Sequence, residues 1–405
     1  MIAGIAWRNI WRNWKRSAVI ISAIALGLAG GIFAVGIWAG MAESMVETSI
    51  DRNLAHLQLH TPAFKTNAVL GHFIPNGEAD ADSIEVVPGV TAVSPRAVVD
   101  GMASSAVTNR GVRILGVSPE KEERTCSVAR HIVEGTYFDS TSRNPIVIGK
   151  TLAEKLELRL HSKIVLSFPG RDGSVIYGSF RIVGIFQSES SVFDQVTLFV
   201  RQADLTSLLG APVMVHEIAV RLQSGALVPG LKTELAKRFP SLTVESWQDL
   251  APELKLTAEV TDITMIFFLG IILFALMFGI TNTMLMSVLD RVREFGVLMA
   301  IGMKRGRVFS LILLETMYLS FTGGLLGALG GAGLVAVFAR SGIDLSGFAA
   351  GLSLYGIPCM LYPSVPVNVY WELAILVMIT AVAAALYPGL KATRLNPARA
   401  IRAYM

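Results

Sequence analysis

The sequence predicts a membrane α-helical protein, with four transmembrane helices in a one-plus-three arrangement and a large extracytoplasmic α/β domain. Three observations lead there. Of 405 residues, 52% are hydrophobic and only 16% are charged, whereas a soluble domain carries about 25% charged residues. Four charge-poor runs are long enough to cross a bilayer core, which needs roughly 20 apolar residues in a helix. Basic residues cluster beside these runs in a pattern that orients them. A mean hydropathy of +0.55 excludes disorder and a fully soluble chain. The net charge of +4 is too small to imply a nucleic-acid partner.

The elements follow in chain order. Residues 1–17 read as an amphipathic entry helix on the cytoplasmic side, with Arg8, Arg12, Lys15 and Arg16. Span one and a helical continuation cover 18–54; Val19 to Ala39 contains no charge, and Met41, Met45, Ile50 and Leu54 prolong an apolar stripe. Two readings of that continuation stand: a stalk reaching the outer domain, or a short juxtamembrane helix. Ala39-Gly40-Met41-Ala42 resembles a signal cleavage site, but the apolar run exceeds the about 7–15 residues of a signal peptide, so a retained anchor is expected. Residues 55–250 alternate strand-like and helix-like runs. His56–His60, Lys163–Phe168, Ser179–Gln187 and Glu217–Leu222 read as strands, and Lys150–Leu158, Arg201–Leu209 and Ala226–Arg238 as helices. This segment is expected to form one or two α/β subdomains.

A second stalk and span occupy 251–289, with Leu254, Leu256 and Val260 before a charge-free run from Ile263. A cytoplasmic segment covers 290–306, span three 307–340, an outer loop 341–368, span four 369–388 and a cytoplasmic tail 389–405. Phe348 to Leu361 is apolar but broken by Gly351, Gly356 and Pro358, and reads as an interfacial or re-entrant piece. Lys and Arg flank spans one, two, three and four on one side, while 341–369 has none. By the positive-inside rule both termini are cytoplasmic.

Intrinsic catalysis is not expected. Gly149-Lys150-Thr151 lacks the earlier glycine of a phosphate loop, since position 144 is Asn, and His216-Glu217 has Val220 where a zinc-protease helix needs its second His. Cys126 and Cys359 are too few for a disulfide framework or a four-ligand zinc site; free thiols are expected, and no metal site. Glycines spaced by four, Gly27, Gly31, Gly36 and Gly40 in span one and Gly323, Gly327 and Gly331 in span three, permit close helix contact within a chain or between copies.

The segment Asp290 to Arg305 carries the sharpest pattern. Arg291 and Glu294 share a helical face, Val297 and Ile301 share another, and Gly302 can stop the helix. With an exposed Phe295, it could dock in a groove of a soluble partner or lie on anionic lipid.

From Arg291 to Gly302 this segment resembles the coupling region of FtsX-like, MacB-type (mechanotransmission) ABC transporter permeases, whose pattern is R-x-R-E-[IF]-G-x-L-x-A-[IL]-G. Ala6-Trp-Arg-Asn-Ile10 is similar to that family's entry helix, and Tyr387 to Arg402 to its P-x3-A-x3-[NR]-P-x2-A-[IL]-R ending. The resemblance covers essentially the whole chain. It implies a permease dimer, of two copies or two related permeases, in a bacterial inner membrane. A dimer of cytoplasmic ABC ATPase subunits, supplied by another polypeptide, would bind ATP and Mg; this chain would need no cofactor. Arg291, Arg293, Glu294, Phe295, Gly296, Leu298 and Gly302 are the implied coupling residues.

Length and domain size resemble the lipoprotein-releasing LolC/LolE type most. That likeness implies extraction of lipoproteins from the membrane toward a periplasmic carrier. The hairpin from Phe168 to Tyr177 would bind the carrier, with Pro169, Arg171, Asp172 and Tyr177 as candidates. Export of amphiphiles, peptides or toxins, as in MacB, and regulation of a cell-wall hydrolase, as in FtsX, remain alternatives. Spans one and two lack charge, so no ion path marks them. A lipid-like cargo moiety would then meet Ile32, Phe33, Ile37, Phe267, Phe268, Ile271 and Phe274, with membrane lipid as neighbour.

Overall fold

A computed structural model describes residues 2–12, 14–67, 69–138, 142–170, 173–210 and 213–394, with the side chains of 258, 259, 261 and 262 left out. The chain divides into two compact units. One comprises 1–42, 258–343 and 360–405; the other comprises 43–257 and 344–359.

The first unit is helical. An entry helix, Ile2–Arg12, precedes the long helix Trp14–Ser49 that holds span one. Span two lies in Pro252–Asp290, span three is Arg305–Ser341 and span four Val367–Thr393, with a coupling helix, Val292–Ala300, between spans two and three. Four helices are long and apolar enough to cross a membrane, as the sequence predicts. The two helices of spans one and two run beyond their apolar segments, also as expected.

Helical periodicity explains how spans one and three meet. Ile20, Ile24, Leu28 and Ile32 recur every fourth residue, so they form one buried stripe. Gly323, Gly327 and Gly331 lie against it. A Cβ on Gly323 would fall 2.9 Å from Ile24 Cβ, one on Gly327 2.8 Å from the Ala25 carbonyl, and one on Gly331 2.9 Å from Ile32 Cβ. Gly27 in turn admits Leu276 of span two at 2.6 Å from its missing Cβ. The glycine spacing therefore serves packing inside one chain.

The second unit is built on ten strands among the described residues. They are β1 (Leu57–His60), β2 (Val90–Ser104), β3 (Asn109–Val117), β4 (Ile132–Gly135), β5 (Pro145–Gly149), β6 (Lys163–Pro169), β7 (Val175–Phe186), β8 (Thr197–Arg201), β9 (Glu217–Leu222) and β10 (Thr243–Ser246). The pairing β2–β3–β8–β5–β7–β6 returns to β2, closing a small barrel. Its interior follows the period of two expected of strands: Ala97, Val99 and Ala103; Ile146 and Ile148; Ile164, Leu166 and Phe168; Phe180 and Ile182. Gly101 completes the β2 series, where a Cβ would strike the Ser167 carbonyl at 2.5 Å.

The first half of β2 instead pairs with β9, which continues to β1 and β10. Helices Gly77–Glu85 and Val228–Arg238 supply Ala81, Ile84, Leu231 and Leu235 to the core over that sheet. Two subdomains thus share one long strand, in line with the α/β expectation.

A π-helical turn, Ile50–Leu54, ends the helix that begins at Trp14. Asp51 accepts from Arg221 at 2.6 Å, the Arg52 guanidinium lies 5.0 Å over the Phe193 ring, and the Asn53 carbonyl accepts from Arg96 at 2.8 Å. Arg96 is wholly buried. It also donates to both oxygens of Glu122, at 2.9 and 2.8 Å, and to Glu217 at 2.7 Å.

One expectation is corrected here. The piece from Phe348 to Leu361 is not an interfacial or re-entrant span: residues 344–359 group with the α/β unit. The Ser353 carbonyl accepts from the backbone N–H of Ser191 at 3.0 Å, at the start of helix Ser191–Val196. Its glycines and proline break it into single turns, whose free carbonyls need donors that a lipid core would not offer.

Candidate functional site

The coupling helix is short, and its two ends are chemically defined. Gly302 stands at φ +99°, Met303 N–H donates to Leu298 O at 3.0 Å and Gly302 N–H to Met299 O at 3.1 Å. This is the Schellman arrangement, which satisfies the last carbonyls and needs a left-handed residue that glycine supplies. The stop at Gly302 matches the sequence reading.

Ion pairs fix the helix from two sides. Arg291 Nη1 donates to Glu315 in span three at 3.0 Å, and both residues are almost excluded from solvent, at 6% and 7% exposure. Arg291 Nε donates to Glu294 at 2.9 Å, and Arg12 of the entry helix reaches Glu294 at 2.8 Å. Arg16 pairs with Asp290 at 3.2 Å. Partial burial pushes the Glu294 carboxyl up, but the bond and charge of Arg291, then Arg12, hold it below the usual carboxylate range. A continuous chain of charge therefore links entry helix, coupling helix and span three.

Several implied coupling residues face inward as a result. Arg291 is spent on Glu315 and Glu294. Phe295, expected to be exposed, is 1% exposed, beneath the Arg291 guanidinium at 5.1 Å from its ring centre. Gly296 is buried and Leu298 packs on the bundle core. These side chains position the helix. The outward surface is Arg293, Glu294, Val297, Ala300 and Ile301, with Val297 46% and Ile301 76% exposed. Between coupling and entry helices lies a groove of about 460 Å³, lined by Ile5, Asn9, Arg12, Arg293, Val297 and Leu311 among others. Sequence reading missed Glu315 as a partner and Arg12 as a member. The signal was present: Glu315 is the sole charge between Val308 and Phe338, and an intramembrane charge calls for a partner.

The candidate cargo residues separate into two groups. Ile32 is buried against Gly331, and Phe33 meets Phe338 of span three at 5.2 Å. Ile37 is only half-buried. Phe268 stacks on Trp38 at 6.2 Å. Phe267, Ile271 and Phe274 form an exposed stripe on span two, extended by Ile263 and Phe278. A separate apolar groove of about 310 Å³ runs between spans one and two, lined by Ala23, Gly27, Ile272, Ala275, Leu276 and Gly279 among others. None of the seven expected residues lines it.

The candidate carrier hairpin exists as β6 and β7, with Pro169 paired to Val175 and Tyr177 to Ser167. Tyr177 is 69% exposed. Arg171 and Asp172 lie outside the described residues. Cys126 is buried and unpaired, beside Arg96 at 2.9 Å; burial pushes its thiol up to about 12, which leaves it a poor nucleophile.

Comparison with known proteins agrees with this division of the chain. Residues 17–238 match the MacB-like periplasmic core domain, and residues 266–397 the FtsX-like permease C-terminal region. The macrolide export ATP-binding/permease protein MacB of Shewanella sp. (strain W3-18-1) is 26% identical over 65% of this chain and 41% of its own length. An uncharacterized ABC transporter permease of Methanocaldococcus jannaschii is 24% identical over 67% of this chain and 65% of its own. The chain thus spans less than two thirds of either relative. The solved periplasmic region of MacB from Actinobacillus actinomycetemcomitans aligns with a TM-score of 0.36 and 11% identity, over 53% of this chain and 97% of that one. With the coupling helix, the four apolar helices and the α/β unit each in the place these two domain patterns require, the chain belongs to the family of permeases that join a MacB-like periplasmic core domain to an FtsX-like permease domain.

Proposed function

We propose that this chain is the permease of an ATP-driven transporter that moves amphiphilic cargo from the bilayer toward the outer side of the membrane. Both termini and the coupling helix would be cytoplasmic, with the α/β unit outside. The observation that carries the reading is the coupling helix itself, held by Arg12, Arg291 and Glu315 and presenting Val297 and Ile301 outward. Two exposed apolar side chains beside Arg293 suit the apolar groove of a soluble ATPase. ATP and Mg would belong to that partner. Conformational work done there reaches span three through a charge pair rather than through a flexible loop.

Export of a MacB-like kind is the reading favoured for cargo, because the relatives named above include macrolide export proteins. Cargo would enter the groove between spans one and two, and the stripe Ile263, Phe267, Ile271, Phe274 and Phe278 would face a second permease copy. An acyl chain gains about 0.8 kcal/mol per buried CH₂ in the groove, but gains the same in the bilayer. Hydrolysis must therefore supply the difference. Lipoprotein release is the second reading, resting on the β6–β7 hairpin and its exposed Tyr177. Purifying the chain from native membranes and identifying its companions by mass spectrometry tests both. An ATPase with an adaptor supports export, an ATPase with a lipoprotein carrier supports release, and absence of any ATPase refutes the proposal.

A further inference from the structure

A second groove lies between the entry helix and span three, away from the coupling surface. It measures about 270 Å³ and is walled by Trp7, Ile10 and Trp11 of the entry helix, Ile21 of span one, and Tyr318 and Leu325 of span three, among others. The one hydroxyl along the span-three wall is that of Thr322, which donates to the Tyr318 carbonyl at 2.9 Å and so adds little polarity. Trp7 meets Tyr318 edge-on, ring centres 5.6 Å apart, and Trp11 edge-on at 5.9 Å, so one end is rimmed by aromatic rings. From Tyr318 to Leu326 the slot follows span three for about 12 Å. It is narrow, apolar and open to the side.

Charge at the aromatic end is uneven in an informative way. Arg12 and Arg16 are engaged with Glu294 and Asp290. Among the described residues, Arg8 and Lys15 are exposed and have no acidic partner. With 3.6 residues per turn, Arg8 stands about 60° round the helix from Trp11, directly beside the aromatic rim. Indole rings favour the headgroup level of a bilayer, and basic side chains there attract anionic lipid.

We propose that this groove binds one acyl chain of an anionic phospholipid of the cytoplasmic leaflet, with its phosphate-bearing headgroup at Arg8 and Lys15. The chain alone cannot select, since bulk bilayer offers it equal burial; selection comes from the headgroup. The bound lipid would brace the entry helix, and with it the Arg12–Glu294 pair of the coupling site. The inference rests on the membrane topology proposed above, which the labelling experiment in the Discussion checks independently.

The test uses the full chain in phosphatidylcholine nanodiscs doped with a little photoactivatable phosphatidylglycerol, or with the same fraction of photoactivatable phosphatidylcholine. Cross-linked peptides are mapped. Phosphatidylglycerol should label the peptides holding Trp7–Trp11 and Leu325–Leu326 in preference to phosphatidylcholine. Each basic residue is worth about a factor of five near an anionic lipid. Arg8→Gln should therefore cut the preference about fivefold, and Arg8→Gln with Lys15→Gln should remove it. Leu325→Trp, which fills the slot and keeps both cations, should reduce groove labelling by both lipids while the span-two stripe stays labelled. Equal labelling by the two lipids, a preference that survives loss of both cations, or undiminished groove labelling in Leu325→Trp overturns the proposal. Should the double variant fail to insert, a salt titration of the unaltered chain decides: the preference must fall as salt shortens the Debye length, and a salt-independent preference refutes it.

Discussion

Arg291 and Glu315 meet at 3.0 Å across the junction of the coupling helix and span three, and neither side chain is more than a tenth exposed. Removing one partner from such a pair leaves a buried charge and costs about 3–5 kcal/mol. Glu315→Gln should therefore lower the unfolding temperature and uncouple any bound ATPase, while Glu315→Gln with Arg291→Met should recover much of the stability. Thermal unfolding of the purified chain and its variants reads this out. A Glu315→Gln chain as stable as the unaltered one would show that the pair carries no load.

The docking surface predicts a different pattern. Val297→Asp and Ile301→Asp should abolish ATPase co-purification with the unfolding temperature within a degree or two of the unaltered chain, because both side chains are exposed. Phe295→Ala should instead destabilise the helix packing by about 3–5 kcal/mol, as for a buried aromatic. If Ile301→Asp still binds its ATPase, the apolar contact is misplaced.

Close packing of spans one and three gives a third expectation. Gly327→Val places methyl groups against the Ala25 carbonyl and Leu28, within 2.9 Å of a simple Cβ. Overpacking of this kind costs about 1–3 kcal/mol, whereas Gly324→Ala, with open space around it, should be nearly neutral. Comparing the two melting curves checks the assignment of this glycine face to contacts within the chain.

Orientation is tested by labelling. Ser174→Cys should react with a membrane-impermeant maleimide in intact cells, and Lys304→Cys only after permeabilisation. Reaction of Lys304→Cys from outside would reverse the topology.

His131 provides a pH-dependent prediction in the α/β unit. Its Nε2 lies 3.1 Å from Glu189 and its Nδ1 2.9 Å from the Ser127 carbonyl. The bond to Glu189 raises it from an ordinary 6.5 to about 9. The folded protein thus binds this proton more tightly than the unfolded chain, so the pair stabilises fully below pH 6.5 and its contribution is lost as pH rises through 9. The melting temperature should decline over that window, and His131→Asn should flatten the decline. Asp194, pushed up to about 6 mainly by burial, titrates below it and does not mask the effect.

Much of the architecture was legible because membrane insertion leaves a one-dimensional record. A run without charge, such as Ile263 to Val288, requires no knowledge of neighbours to be read. The strands named from the sequence also recur, at Leu57–His60, Lys163–Pro169 and Glu217–Leu222. The barrel was not legible. Strand β2 contains Pro95 and Gly101 and changes partners midway, so no single alternation marks it; its Pro and Gly are tolerated because the strand bends there between two sheets. At the coupling helix, periodicity showed which residues share a face but not which face is covered. Phe295 and Ile301 are both apolar, and only the position of Arg291 over Phe295 decides that one is core and the other surface.

The π-helical turn at Ile50–Leu54 has a mechanical meaning. Asp51, Arg52 and Asn53 are consecutive, so they point in directions roughly a quarter turn apart around the helix axis. Each is gripped by a different element: Arg221 of β9, Phe193 of the helix Ser191–Val196, and Arg96 of β2. A single contact would leave the rod end free to swivel. Three grips around its circumference make it a splined shaft, locked against torsion as well as thrust, so that twisting these residues must turn the strands that hold them.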